Sequence, residues 1–533
     1  LKEPSIIDYS QLIKYMKLLY SRSKIRVICT LFAVACGTAK AGDFQLKDGD
    51  RIIIAGDSIP NQKMWPHYMA SYLLLMNPQL TLHVQVCARG GTSIESYIDN
   101  GNPNYEQYSK LVYAYEPNFV FFSSSINGGY DKAKHKAMML ELVNSYIIGR
   151  SHAAPILLGM APLSNSTGSA IAGEYDLANE EIALSAPEPL FYHKTWTALK
   201  DRFTANRVFT ADAVTDTCAS VGHGFSNRRA VTLSVAGNPS GPGGLANYVV
   251  YYVRDATANT FKLSTAPDGP VIDITTNGSG EQRISETWPV IRNVITDSDH
   301  PGRAAQIAYA WKVIAGLGFS SIVSTATIAS DTKTLTDSQF CSVSSIVGNS
   351  FRGVDFKRLD ARLPWGIDES GRAGAEFLYP DIKGWQKYML TVTGLASGRY
   401  DVYINDVNVA DVSAAELAAG WNMADLTTGP VHDQVQEVLG RIRDMHWVDR
   451  KTLASKGAPW QGVALYESNA SAYYNPPYNK RGVDLIASLS NALASVAGFD
   501  GLVHTAAQPT TLSFSIRRKN SIPWPDTKYK GPP

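Results

Sequence analysis

From Asp50 to about residue 205, short and almost continuously apolar runs alternate with longer amphipathic stretches, and this alternation constrains the fold more than any other feature. RIIIAG is followed by QKMWPHYMASYLLLM, LTLHVQV by YEQYSKLVYAY, NFVFFSSS by KAKHKAMMLELVNSYIIG, and PILLGMAP by a segment running through TWTALKDRF. A strand that is apolar on successive residues buries both of its faces, and helical connections of this length join parallel neighbours. The pattern predicts an α/β, doubly wound domain with a parallel sheet. In such sheets the functional groups collect at the carboxyl ends of the strands. Ser58 and the segments after Val86 and Phe122 all fall on that edge.

The chain is long enough for more than one core. It has 533 residues, 44% of them hydrophobic, whereas single cores stop growing near roughly 250 to 300 residues. The α/β texture covers 42–205 and returns over 285–325, where HPGRAAQIAYAWKVIAGLG is again helical. Between them, 206–284 is rich in Gly, Asn, Thr and Ser. Short alternating runs there (AVTLSV, NYVVYYV, NTFKLST, VIDITT) lie between turn signals such as NPSGPGG and NGSG, which predicts an inserted all-β module. Its HGFSNRRAVTLS and ANTFKLS pieces resemble a small repeat of phage tail and adhesin proteins, which implies a spacer or contact role. IVSTATIASDTKT reads as a Ser/Thr-rich linker. Residues 345–515 read as an α+β accessory domain, with a hairpin at Ala396 to Gly398 and a helix through DQVQEVLGRIRDMHWVDRKTL. Residues 516–533 form a basic, Pro-rich tail.

Charge and cysteine content exclude several partner classes. Lys plus Arg (49) nearly cancels Asp plus Glu (48), so no net field attracts nucleic acid or an anionic membrane. Residues 1–41 read as an upstream extension and a secretory signal: from Met16, basic residues precede an apolar run that ends at Ala39-Lys40-Ala41. The expected destination is secreted or periplasmic, with cleavage near Ala41, and Cys36 is a lesser candidate for lipid attachment. That apolar run is short for a transmembrane anchor, and none is expected. Cys87, Cys218 and Cys341 remain after cleavage. Widely spaced and odd in number, they fit neither a disulfide scaffold nor a CxxC metal site. The histidines form no HExxH or paired metal spacing, so no metal and no cofactor are expected, and those apart from His300 read as surface or satisfied core residues. YYNPPYNKRG (473–482) reads as a Pro-rich surface loop rather than a carbohydrate-stacking platform.

Ester hydrolysis needs a nucleophile, a base, a group that orients the base, and donors for an oxyanion. Each is available at a predicted strand end. Gly-Asp-Ser places Ser58 after the first strand, CARGGTSIESY places Gly90 and Gly91 after the second, and SSSINGGYD places Asn127 after the third. ITDSDHPGRAAQ sets Asp297 three residues before His300, and Pro301 begins a helix. That spacing can put a carboxylate beside the imidazole on one turn, with Asp299 as its rival.

Taken in order, GDS, the Gly segment, the Asn and D-x-x-H-P resemble the four sequence blocks of the SGNH (GDSL-type) hydrolases. The resemblance spans about 43–205 and 285–325. It implies a flavodoxin-like three-layer α/β/α fold and esterase activity through an acyl-enzyme, with Ser58 as nucleophile, His300 as base and Asp297 orienting it. The implied oxyanion hole is the Ser58 N–H, the Gly91 N–H and the Asn127 side chain, with Gly90 one residue away as the alternative to Gly91. The third block departs from the family's Gly-x-Asn-Asp, reading Ser125-Ile126-Asn127-Gly128, and Ile59-Pro60-Asn61 replaces the frequent Ile-Thr after the serine. The C-terminal pattern resembles the appended region of larger bacterial members. The implied substrate is an acylated glycan with a short acyl group such as acetyl. The competing readings are a glycan-binding adhesin on a degenerate hydrolase scaffold, and a lipase or thioesterase.

Overall fold

The computed structural model describes residues 45–88, 90–98, 112, 115–123, 127–160, 166–186, 190–203, 207–235, 240–246, 249–286, 300–446 and 499–519. Five strands, β1 (Arg51–Gly56), β2 (His83–Ala88), β3 (Phe119–Ser123), β4 (Ala154–Leu158) and β5 (Phe191–His193), form one sheet in the order β2-β1-β3-β4-β5. Every pair in it is parallel. The register sets Gly56 beside Ala88, Ala55 beside Phe122, and Leu158 beside both Ser123 and His193, so the carboxyl ends finish nearly level. The chain leaves β1 for one neighbour and then returns to the other side of β1, which makes the β1/β3 edge the topological switch point. β5 was not legible as a strand, being only three residues long.

Alternation along β1 separates two layers. Ile52 and Ile54 pack with α2 (Met64–Met76) and α6 (Arg303–Gly316), while Ile53 and Ala55 pack against the opposite layer with Met139, Leu142 and Val143. That opposite layer includes α3 (Lys132–Glu141) and α4 (Ser166–Ser185), whereas α5 (Thr195–Phe203), which follows β5, places Leu199 in the cluster of α2 and α6. A single turn, α1 (Ser58–Asn61), follows β1.

The insert is a closed antiparallel barrel. Its strands are β6 (Arg207–Asp212), β7 (Thr217–Ala219), β8 (Ala230–Val235), β9 (Val250–Arg254), β10 (Thr260–Ser264) and β11 (Gln282–Glu286), closing in the order β10-β7-β6-β11-β8-β9. Phe209, Val231, Val253, Phe261 and Ile284 fill its core. VIDITT, expected as a strand, contributes only isolated bridges at Val271 and Thr276. Cys218 is buried inside this barrel, whereas Cys341 lies in the C-terminal region, and the three described cysteines form no disulfide.

The C-terminal region departs from expectation in three places. The Ser/Thr-rich segment is not a linker: β12 (Ile322–Ala329) and β13 (Thr334–Gln339) pair there, with Val323 and Ile328 buried. Small hydroxyl side chains on alternate positions concealed a strand whose other face is apolar. These two strands belong to a four-stranded sheet, β13-β12-β16-β19, with β16 (Lys387–Thr393) and β19 (Trp421–Asn422). A five-stranded sheet, β14-β15-β20-β17-β18, contains β14 (Cys341–Asn349), β15 (Gly353–Asp360), β17 (Arg399–Ile404), β18 (Val407–Ser413) and β20 (Leu512–Arg518). The segment at Ala396 to Gly398 is therefore a crossover between sheets. The hairpin lies at Asn405-Asp406, both with positive φ as a tight two-residue turn requires. The expected tail begins too early, because Ile516 to Arg518 pair within β20 in the middle of that sheet.

The accessory region is joined to the α/β domain through α2. From Trp65 to Met76 every side chain of this helix is buried. Trp365 Nε1 donates to Tyr68 O at 2.7 Å, Ser71 Oγ donates to Gly366 O at 2.7 Å, and Leu363 N donates to Leu75 O at 2.9 Å. Val435, Val438 and Leu439 of the helix Pro430–His446 belong to the same apolar cluster. At that contact the His67 and His446 rings stack at 5.1 Å, and burial pushes His446 down to about 3. His446 Nε2 donates to Val84 O at 3.0 Å, as expected of a core histidine, while His67 Nε2 and His446 Nδ1 have no hydrogen-bond partner among the described residues.

A buried polar network ties the two accessory sheets together. Arg358 donates to Asp360 at 2.8 Å and to Ser324 Oγ at 2.7 Å, and the Tyr388 hydroxyl donates to Asp360 at 2.7 Å. Burial and the Asp360 carboxylate together push the Tyr388 phenol well above its ordinary value. Asp360→Ala leaves the buried guanidinium uncompensated and is expected to cost roughly 3–5 kcal/mol. Guanidinium unfolding followed by tryptophan fluorescence measures it; a loss below about 1 kcal/mol would mean the pair behaves like a surface one.

Candidate active site

Gly56 ends β1 with φ +145, and a Cβ there would lie 2.8 Å from Ser123 O and 2.9 Å from the Pro60 ring. The turn can therefore form only around glycine. The Asp57 side chain, itself buried, caps the next turn by accepting from Ile59 N at 3.0 Å. This leaves Ser58, partly exposed, as the first residue of α1.

The segment after β2 is tethered to the same point. Thr92 Oγ1 donates to Gly56 O at 3.1 Å, and the Tyr97 hydroxyl donates to Gly56 O at 2.7 Å while accepting from Gly56 N at 3.2 Å. Asn127, just beyond β3, donates from Nδ2 to Thr92 O at 2.9 Å. Gly91 adopts a positive φ of +79, and a Cβ on it would meet nothing within 4 Å. Gly90 faces the serine: a Cβ on it would stand 3.8 Å from Ser58 Cβ and 4.0 Å from Asn61 Nδ2. Ser58, the Gly90-Gly91 turn and Asn127 thus occupy one edge, linked through Thr92.

His300 precedes α6, and that helix is bound to the same edge. Gln306, completely buried, donates to Gln62 Oε1 at 2.5 Å and to Pro301 O at 3.2 Å, and accepts from Trp65 N at 3.2 Å. The turn carrying His300 is thereby coupled to the residues directly after α1. Tyr309, one turn further on, donates to Gly159 O at 2.6 Å and lies 3.4 Å from Ser123 Oγ. Asp297 and Asp299 lie outside the described residues.

Sequence reasoning missed the tethers. Thr92, Tyr97 and Tyr309 look like ordinary residues of a turn and a helix. Gln306 carried a signal, as the lone amide on an apolar helical stretch. Asp176 on α4 is a further buried group: Thr197 N donates to it at 2.8 Å, its Oδ1 has no partner among the described residues, and burial pushes it up to about 7. Among the described residues, no group of three or more His, Cys, Asp or Glu is arranged to hold a metal ion. No described helix is long and apolar enough to cross a membrane.

No family model matches the sequence, and no curated protein matches it. Solved structures do. A gut microbial diltiazem-metabolizing enzyme superposes over 89% of this chain and 98% of its own, with a TM-score of 0.53 and 15% identity. At that identity the match shows a shared fold. The extent of that match includes the accessory regions as well as the five-stranded sheet. Shorter matches are to an SGNH hydrolase candidate from Slackia heliotrinireducens (29% of this chain, 83% of that one, 16% identity, TM-score 0.24) and a psychrotrophic esterase from Pseudoalteromonas sp. (28%, 81%, 14% and 0.23).

Two outcomes test the packing around the sheet's carboxyl edge. Gly56→Ala forces a Cβ against Ser123 O in a backbone region that L-residues avoid, and is expected to destabilise by about 1–3 kcal/mol, read as a lower Tm. For Asp176 the folded pKa lies above the ordinary 3.8. Between about pH 4 and 7 the native state keeps a proton that the unfolded state has released, so this group's contribution makes stability fall as pH rises, then level off. Asp176→Asn is expected to remove that slope, so denaturant midpoints of variant minus wild type should rise from pH 4 to 7. A flat difference would show that the carboxyl ionises normally.

Proposed function

We propose that this chain is an exported serine esterase that removes O-acyl groups, acetyl foremost, from a glycan. The observation that supports the reading is the tethering of Ser58, the Gly90-Gly91 turn and Asn127 to Gly56 and Thr92 on the β1/β3 edge, with the His300 turn coupled to the same place through Gln306.

In this reading Ser58 Oγ attacks the ester carbonyl carbon while His300 takes its proton and Asp297 orients the imidazole. The carbonyl electrons move onto oxygen, which the Ser58 N–H, the Gly91 N–H and the Asn127 amide stabilise. A carboxamide has two N–H bonds; with one committed to Thr92 O, the plane of the group and the direction of the other are set. Collapse expels the alcohol, which receives the proton from His300, and leaves an acyl-Ser58. A water deprotonated by His300 then hydrolyses it. Export is supported by the basic, apolar and A-x-A order of the N-terminal segment. The barrel is suited to contacting a glycan or a protein partner, with no cofactor required.

Ser58→Ala is expected to abolish hydrolysis of p-nitrophenyl acetate with an unchanged circular dichroism spectrum. Asn127→Ala should lose roughly 2.7–4 kcal/mol of transition-state stabilisation, measured as kcat/KM. Full activity in Ser58→Ala overturns the reading, and so does failure of a fluorophosphonate probe to label Ser58. Comparison of acetylated polysaccharide with long-chain esters separates this activity from that of a lipase.

A further inference from the structure

Three hydrogen bonds connect Ser58 to the residue after His300. Gln62 N donates to Ser58 O at 3.0 Å, Gln62 Oε1 accepts from Gln306 Nε2 at 2.5 Å, and the same Nε2 donates to Pro301 O at 3.2 Å. The carbonyl of Gln306 has a separate use: Oε1 accepts from Trp65 N at 3.2 Å, in the first turn of α2. An N–H in that turn has no acceptor within its own helix, and Lys63, which precedes α2, supplies no side-chain cap. Capping therefore accounts for the carbonyl. It does not account for the NH2 group, whose two bonds hold residue 62 to residue 301.

The setting makes this amide a demanding choice. Gln306 is completely buried, and Ala304, Ala305, Ile307 and Ala308 around it in sequence are buried and apolar. A buried amide is tolerated only when it is bonded, whereas an apolar side chain of similar length needs no partners. Between Gln62 and α2 the chain passes through Lys63 at φ 58, a region that residues other than glycine seldom adopt. The connector behind the serine turn is thus held by a side chain from α6 rather than by its own conformational preference.

We propose that Gln306 is a positioning residue: through Gln62 it sets the approach of the Ser58 turn to the His300 turn, and with it the rate at which the serine is acylated. The inference rests on Ser58 and His300 being nucleophile and base, and deepens that reading by naming the pair of amides that acts through them. A displacement of about 1 Å between reacting groups can cost roughly a hundredfold in rate.

The test is a double-mutant cycle on the full chain, with Gln62→Met, Gln306→Met and the two combined. Its readout is kcat/KM for p-nitrophenyl acetate per active site, the sites being counted by the end point of fluorophosphonate labelling, so that an unfolded fraction drops out. A role in stability alone would leave this per-site value unchanged. Each single variant is expected to lower it about tenfold or more, and the double variant to fall no further than Gln306→Met, because both remove one connection. Gln62→Met leaves Gln306 free to cap Trp65 N, which separates positioning from capping; being at a half-buried position, it decides the matter alone if Gln306→Met does not fold. A wild-type value in Gln62→Met, or losses that multiply in the double variant, overturn the role of Gln306 while Ser58→Ala remains inactive. Hydrolysis that survives Ser58→Ala overturns the nucleophile and this inference together.

Discussion

A helix without a polar face can exist only where protein covers it on every side, and α2 is such a helix. The sheet covers one side, α6 another, and the accessory region the rest. Fully burying a large apolar side chain contributes roughly 1.5–3 kcal/mol. Exposing the outer face of α2, with Tyr68, Leu75 and their neighbours, would therefore cost more than a typical domain has to spare. The accessory region is thus a structural requirement of the α/β domain, whatever else it does. One hydrophobic cluster runs through both.

The edge above the sheet is organised in a different way, by hydrogen bonds that converge on few atoms. Gly56 O receives both Thr92 and Tyr97, Thr92 O receives Asn127, and Gln306 gathers Pro301, Gln62 and Trp65. All of these bonds but the one from Gln306 to Pro301 O join segments far apart in sequence. Side chains held by such partners keep their directions without spending conformational freedom when a ligand arrives.

The parallel core was legible because its strands are apolar on consecutive residues and its helices are long, and the barrel was legible in outline from turn residues between alternating runs. The accessory sheets were harder. β12 carries Ser324, Thr325 and Thr327 among its apolar residues, a composition shared with linkers, and only pairing with β16 distinguishes the two. The crossover near Gly398 carries the same turn chemistry as a hairpin; which strands then pair is decided by the whole sheet. At the site, the strand-end residues could be named from spacing, since a parallel sheet delivers them to one edge. Gln306 could not be given a role, because its meaning lies in Gln62 and Trp65, partners that are remote in sequence.

β6 and β11, the first and last strands of the barrel, are antiparallel neighbours, with Arg207 opposite Ile284. The chain therefore enters and leaves this module through adjacent positions. An insertion with that geometry demands little of its host, since the interrupted connection need not be stretched, and loop closure penalties grow only slowly with length. Such a barrel is interchangeable in principle: another small domain with paired termini could occupy the same point without disturbing the sheet. It is the kind of position at which a lineage can change what a protein touches while keeping what it does.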